Sequence, residues 1–204
     1  MWHAIFAQVA FDERQFRSRS EARNHWVDFG FFQKQPKGRS VMSNIERAKT
    51  DPIAQLWDEI DSTHVVMLGS PDHARHLQPM APQSAREEKA IWFYTRVTSD
   101  TAKAAANGGI VHMCLIKDDY QACLDGNLTT IYSRDHIERY WSSLVEAWYP
   151  GGKDDAELTM LCFKPRSAQI WASTGSKLIF GWEIAKAITG GHEPDVGHTV
   201  RITF

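Results

Sequence analysis

The runs HVVMLGSP (64–71), HLQPMAPQ (76–83), KAIWFYT (89–95), SDTAK (99–103) and IVHMCLI (110–116) decide how this chain folds. Apolar and β-branched segments bounded by Gly, Pro, Asp and Ser are strand signals, so the order reads strand, strand, strand, short helix, strand. The connections are short, which favours antiparallel hairpins over crossovers. In the third run Ile91, Phe93 and Thr95 share one face and Trp92 and Tyr94 the other, and one of those faces must line the interior.

Directly after that strand, Thr95, Ser99, Asp100, Thr101 and Lys103 place hydroxyls, an N-cap and a cation at the start of a helix. The first amides of a helix have no internal partner and the dipole is positive there, so a phosphate is favoured. The same residues also suit a plain surface helix, capped by Ser99 or Asp100, with Lys103 in water.

Upstream, Ser43 to Glu46 has capping-box spacing, and Asp51–Pro52 is a second helix entry. Ile53, Leu56, Trp57 and Ile60 then make one apolar stripe. Strand 64–69 looks buried on both faces, and Ser70 to Arg75 has turn composition. Before Met42 the chain mixes aromatics and arginines without a sustained period and ends in QKQPKGRS (33–40). It lacks the apolar region and cleavage site of a secretory signal, and Asp12, Glu13 and Glu21 argue against a transit peptide. Residues 1–41 are therefore expected to be a disordered extension or a mis-assigned start, and 42–204 the folded domain.

Downstream, Tyr120–Tyr132 reads as a long strand with a bulge at Asp125–Gly126. Ser133 caps a helix whose apolar face is Ile137, Tyr140, Trp141, Leu144, Val145 and Trp148. Leu158–Lys164 and Ala168–Trp171 are two further strands, 180–189 is a helix ending at Gly190–Gly191, and the alternation of Val200, Ile202 and Phe204 is a last strand.

Composition sets the bounds. The chain has 204 residues, 43% hydrophobic and 24% charged, enough to bury the core of one ordinary domain. A net charge of -2 recommends neither nucleic acid nor an anionic membrane as partner, and no apolar run reaches membrane-span length. Cys114, Cys123 and Cys162 are odd in number and lack close paired spacing, which points to reduced core thiols in a cytoplasmic protein. The nine histidines show no ligand spacing, so no metal site is expected.

The order VVMLGS (65–70), HLQPMAP (76–82), IWFYT (91–95), the hydroxyl turn with Lys103, DGNLTTIYS (125–133), AWYPGGKDD (147–155) and QIWASTGS (169–176) resembles the general stress protein 26 group of the pyridoxamine 5'-phosphate oxidase-like flavoproteins. The resemblance covers about Pro52 to Ile202. It implies a mainly β (α+β) fold, a six-stranded antiparallel split β-barrel with peripheral helices, which forms a homodimer and binds FMN where the subunits meet.

On that resemblance the cofactor-binding residues are Gln78, Pro79, Met80, Phe93, Tyr94, Thr95, Ser99, Thr101, Lys103 and Trp171, with Thr95 and Lys103 foremost for the phosphate. Pro79 suits an edge strand whose free backbone groups meet the pyrimidine edge of a flavin. The group usually carries arginine before its Pro-Met pair, where this chain has Gln78. Glutamine can bond a flavin carbonyl but supplies no fixed charge or fork. Arg75 and Arg96 are the nearby arginines. Lys153, Asp154 and Asp155 either form a surface turn or touch a ligand.

Three functions follow: a flavin-dependent oxidoreductase of unassigned substrate, a non-catalytic flavin-binding stress protein, or a relative holding a deazaflavin or haem. Neither a Ser-His-Asp nor a Cys-His constellation is evident in the sequence. The arginine-rich C-terminal motif of pyridoxamine phosphate oxidation is missing as well.

Overall fold

The computed structural model describes residues 43–70, 76–107, 110–191, 193–194 and 196–204. The expectations for residues 1–41 and for the turn at 71–75 lie outside them. Ser43 accepts from the amide of Glu46 and starts helix α1 (Asn44–Thr50), and Asp51 does the same for α2 (Pro52–Asp61), with Pro52 in the first turn. Leu56, Trp57 and Ile60 of the α2 stripe are buried, while Ile53 at its margin is exposed.

Eight strands follow: β1 (Val66–Gly69), β2 (Gln78–Met80), β3 (Gln83–Ala85), β4 (Ala90–Arg96), β5 (Ile110–Ile116), β6 (Tyr120–Ile131), β7 (Leu158–Ser173) and β8 (Gly197–Thr203). Helix α3 (Asp100–Asn107) joins β4 to β5, α4 (Arg134–Tyr140) and α5 (Ser143–Glu146) join β6 to β7, and α6 (Lys177–Gly190) precedes β8. Every pairing is antiparallel, in the order β2-β1-β5-β6-β7-β4-β3, with β8 also on β7. The expected count was six. The short β3 lay hidden in a polar stretch, and β8 extends one side of β7.

The connectivity shows that the sheet is rolled. β2 and β3 are the two ends of the seven-strand path, yet only Ala81 and Pro82 separate Met80 from Gln83. Three residue steps reach at most about 11 Å. The ends of a flat sheet of that width would lie about 29 Å apart. The sheet therefore curls until its ends nearly meet, a split β-barrel whose gap runs between β2 and β3.

The inner face carries Leu68, Phe93, Met113, Leu115, Leu124, Leu161 and Ile170, packed with Leu56, Trp57 and Ile60 of α2. Each large apolar side chain so buried contributes about 1.5–3 kcal/mol. A second cluster of Trp92, Ile137, Tyr149, Met160 and Cys162 covers the other face of β4 and the first part of β7. Both faces of KAIWFYT are thus buried. β1 differs from expectation, since Val65 before it is exposed and only Val66 and Leu68 point fully inward.

Two elements are divided differently from the sequence reading. The helix expected after Ser133 breaks at Trp141, which is extended (φ -65°, ψ 133°), and Ser142 caps a separate α5 by accepting from Val145 N. A serine pair at 142–143 offers the backbone a cap where a continuous helix would need none. Conversely, the two strands expected at 158–171 form one continuous β7. Pro165 lies between the two expected strands, and it pairs with Gly126 beside the register shift at Asp125/Gly126, where a lost ladder donor is tolerated. Asp125 faces Ser167 and Gly126 faces Pro165, so the extra residue of this bulge is Arg166. There β7 changes neighbours, pairing β4 through 158–163 and β8 through 167–173, with β6 on its other side.

Candidate functional site

Ser99 sits at the N-terminus of α3, where its Oγ accepts from the amide of Ala102 at 3.1 Å and from the hydroxyl of Thr95 at 2.9 Å. Thr101, two residues on in the first turn, donates to Gln78 Oε1 at 2.8 Å. Two hydroxyl bonds therefore tie the start of α3 to β4 on one side and to the edge strand β2 on the other. Thr130 of β6 adds a third tie, donating to the carbonyl of Ala102 at 3.3 Å. Thr95 and Thr101 are both buried, so this is an anchored corner of the barrel and not a loose surface turn.

Among the described residues, the amides of Asp100 and Thr101 carry no hydrogen bond within the chain and are free for an acceptor. Lys103 lies in the first turn, two-thirds exposed, with its Nζ 3.9 Å from the Asp100 carboxylate. An anion at the helix start would meet two amides, the Ser99 hydroxyl and Lys103, against one nearby carboxylate. Pro79 belongs to the terminal strand of the sheet, as expected for a strand offering free backbone groups. A phosphate group fits this donor set.

Directly paired residues share a face of an antiparallel sheet, so register places the remaining candidates. Gln78 opposes Leu68 and Met80 opposes Val66, both on the inner face, and Pro79 opposes Met67 on the outer. Phe93 lies fully in the core beneath Thr95. Tyr94 points the other way, donating its hydroxyl to the carbonyl of Ile137 at 2.6 Å. Burial raises its phenol well above the ordinary value, so it stays neutral. Trp171 is 43% exposed on the outer face, opposite Gln121 of β6 and Thr199 of β8. The structure thus gathers Gln78, Thr95, Ser99, Thr101 and Lys103, and separates Tyr94 and Trp171 from them.

Arg96 offers no substitute for an arginine at position 78. Its guanidinium donates to the Trp148 carbonyl at 2.8 Å and lies 5.5 Å over the Tyr149 ring, within the second cluster. Arg75 lies outside the described residues. In the 147–155 loop, Asp154 pairs with Arg134, while Asp155 accepts from the amides of Gly151 and Glu157. Both carboxylates hold the turn.

One constellation was missed in the sequence. The Ser133 hydroxyl lies 2.7 Å from His136 Nδ1, and His136 Nε2 lies 2.8 Å from Glu88. Its spacing of three residues is a helix-cap spacing, and Ser133 also accepts from the His136 amide. The His136 ring stacks on Trp92 at 3.8 Å, and Arg139 binds the other Glu88 oxygen. The cluster clamps α4 onto β4. Only knowledge that residues 88 and 136 meet would have revealed it.

A separate cleft of about 340 Å³ lies between the starts of α1 and α6, lined by Ser43, Asn44, Asp119, Thr174 and Ile179 among others. It holds none of the residues above. No helix among the described residues is long and apolar enough to cross a membrane.

Comparison with known proteins agrees with this architecture. No curated protein sequence matches the chain. Among solved structures, a protein described as a general stress protein 26 from Jannaschia sp. CCS1 is 32% identical, with a TM-score of 0.65 over 76% of this chain and 99% of that one. The general stress FMN/FAD binding protein of Xanthomonas citri is 29% identical, with a TM-score of 0.55 over 60% of this chain and 89% of its own. A general stress family protein from Xanthomonas campestris pv. campestris is 31% identical over 60% of this chain and 87% of its own, also with a TM-score of 0.55. The profile described as "Pyridoxamine 5'-phosphate oxidase like" matches residues 51–195, and the chain, with its split barrel and antiparallel topology, belongs to that family.

Proposed function

We propose that this protein is an FMN-binding flavoprotein, an oxidoreductase of unassigned substrate acting in the cytoplasm. The observation that carries the reading is the anchored start of α3, where Gln78, Thr95, Ser99 and Thr101 interlock around two free amides beside Lys103. The FMN/FAD-binding relative from Xanthomonas citri supports the same ligand class. Bound there, the flavin would supply the electron or hydride chemistry. The chain's own part is to hold the phosphate at Ser99, Thr101 and Lys103, to meet the ring edge from β2, and to keep water out with Met80 and Phe93.

Among the described residues, the two aromatic candidates Tyr94 and Trp171 point away from the start of α3. A homodimer supplies the ring cover, with Trp171 left to cover a ring bound by the second copy. Helix α6 supports self-association, because Leu178, Trp182 and Ile188 are exposed large apolar side chains on it.

The visible spectrum of freshly purified protein tests the cofactor. Oxidised flavin bands are expected. A Soret band would replace flavin by haem, and a colourless protein that ignores added FMN would end the proposal. Sedimentation at micromolar concentration tests the assembly, and a monomer binding FMN stoichiometrically would refute the shared site.

A further inference from the structure

The β5–β6 hairpin does something that the spacing of its cysteines concealed. Cys114 and Cys123 lie directly opposite each other in the ladder, with their sulfur atoms 3.7 Å apart. Both are free thiols and half-buried. Cys162 sits apart, buried in the second cluster. We propose that Cys114 and Cys123 are a peroxide-oxidisable dithiol that closes to an intrachain disulfide across the hairpin.

The geometry asks little of the backbone. Directly opposed residues of an antiparallel pair have Cα atoms about 4.5 or 5.5 Å apart, and both values lie in the range of about 4.4–6.8 Å that a disulfide spans. Closing the sulfur separation to a bond of about 2.05 Å is a matter of side-chain rotation. Neighbouring rows leave the pair reachable by a small oxidant. His112 and Asp125 oppose each other on one side, Ile116 and Gln121 on the other, and Met67 and Gln169 flank it across the sheet. No other thiol competes for either sulfur.

The chemistry balances with a hydroperoxide as oxidant. One thiol attacks the peroxide, the O–O bond breaks, an S–O bond forms, and an alcohol or water leaves with one thiol hydrogen. The second thiol then attacks the sulfenic sulfur, the S–S bond forms, and water leaves with the other hydrogen. Two thiols lose two electrons and one peroxide gains them. Burial, aided by the neighbouring Cys123, pushes the Cys114 thiol up to about 11, so the reaction accelerates as pH rises towards that value. The pair is a slow, high-dose responder.

The test treats reduced full-length protein with hydrogen peroxide, then alkylates and maps it by mass spectrometry. The expected product has lost about 2 Da, contains a crosslinked 114–123 peptide and returns to the starting mass with a thiol reductant. It forms equally in Cys162→Ser and fails to form in Cys114→Ser or Cys123→Ser, and its thermal midpoint lies above that of the reduced form. Separate sulfinic or sulfonic acids at the two positions, crosslinks between chains, or a disulfide that appears only after denaturation would each overturn the proposal. So would a crosslink in Cys123→Ser equal to that of the unaltered chain.

Discussion

The hydroxyl of Thr101 donates to Gln78 Oε1 across 2.8 Å, which joins the first turn of α3 to the terminal strand β2. Arginine at position 78, the residue that the resemblance implies there, has no acceptor to offer that hydroxyl. Gln78→Arg therefore strands a buried donor, a loss of about 1–3 kcal/mol, while adding a charge-assisted contact for FMN. A lower thermal midpoint together with tighter FMN in a fluorescence-quenching titration is expected. Weaker FMN binding would show that the arginine does not reach the ligand.

Lys103→Ala separates the phosphate from the ring. A charge-assisted contact is worth about 1.5–3 kcal/mol, and exposure together with Asp100 puts Lys103 at the low end, so FMN should weaken roughly tenfold. Riboflavin lacks the phosphate and should bind unchanged. Equal losses for both ligands would mean that the lysine acts through folding.

Asp125 gives the molecule an acid limit. The Ser167 hydroxyl, then Arg166, holds its carboxyl below the ordinary 3.8. A depressed carboxyl contributes stability that is fully present above its unfolded value and is lost as pH falls through its folded value. Asp125→Asn should cost about 1 kcal/mol at neutral pH and almost nothing at pH values of about 2. Denaturant melts at both pH values decide it, and an equal loss at both would refute the electrostatic reading.

Gly126 sits beside the same bulge, where an added Cβ would run into the Lys164 carbonyl and the Phe163 ring. The carbonyl belongs to the β7 backbone and the ring to the core, so neither moves freely. Gly126→Ala should destabilise by about 1–3 kcal/mol, read as a lower denaturant midpoint. An unchanged midpoint would mean that β7 shifts without cost.

Residues 42–204 are proposed as the folding unit. A chain beginning at Met42 should keep the thermal midpoint and FMN affinity of the full chain. An insoluble product, with the full chain folded, would contradict this.

Local signals were legible where the residues that carry them are adjacent in sequence. Ser43, Asp51, Ser99 and Ser133 announced their helices because a cap is settled within four residues. The bulge at Asp125–Gly126 was readable too. Its partner was not: the continuity of β7 through Pro165 depends on Gly126 lying opposite. The corner at the start of α3, proposed as the phosphate site, was half legible. Thr95 and Ser99 lie close in the chain, whereas the Gln78–Thr101 bond exists only because β2 reaches α3. The aromatics were less legible for a related reason, since alternation tells which strand residues share a face but not which way each face points, as Tyr94 shows by turning away from α3 to donate to Ile137.

The order of the strands also fixes an order of birth. β4 is complete at Arg96, and besides the three-residue β3 its partner is β7, which begins at Leu158. At about 5–20 residues per second, a ribosome makes the first strand wait roughly 3–12 s for the second. Throughout that interval Ile91 and Phe93 belong to a nascent hairpin with one open edge, a ready template for another chain. That edge stays open until residues 158–163 emerge and dock.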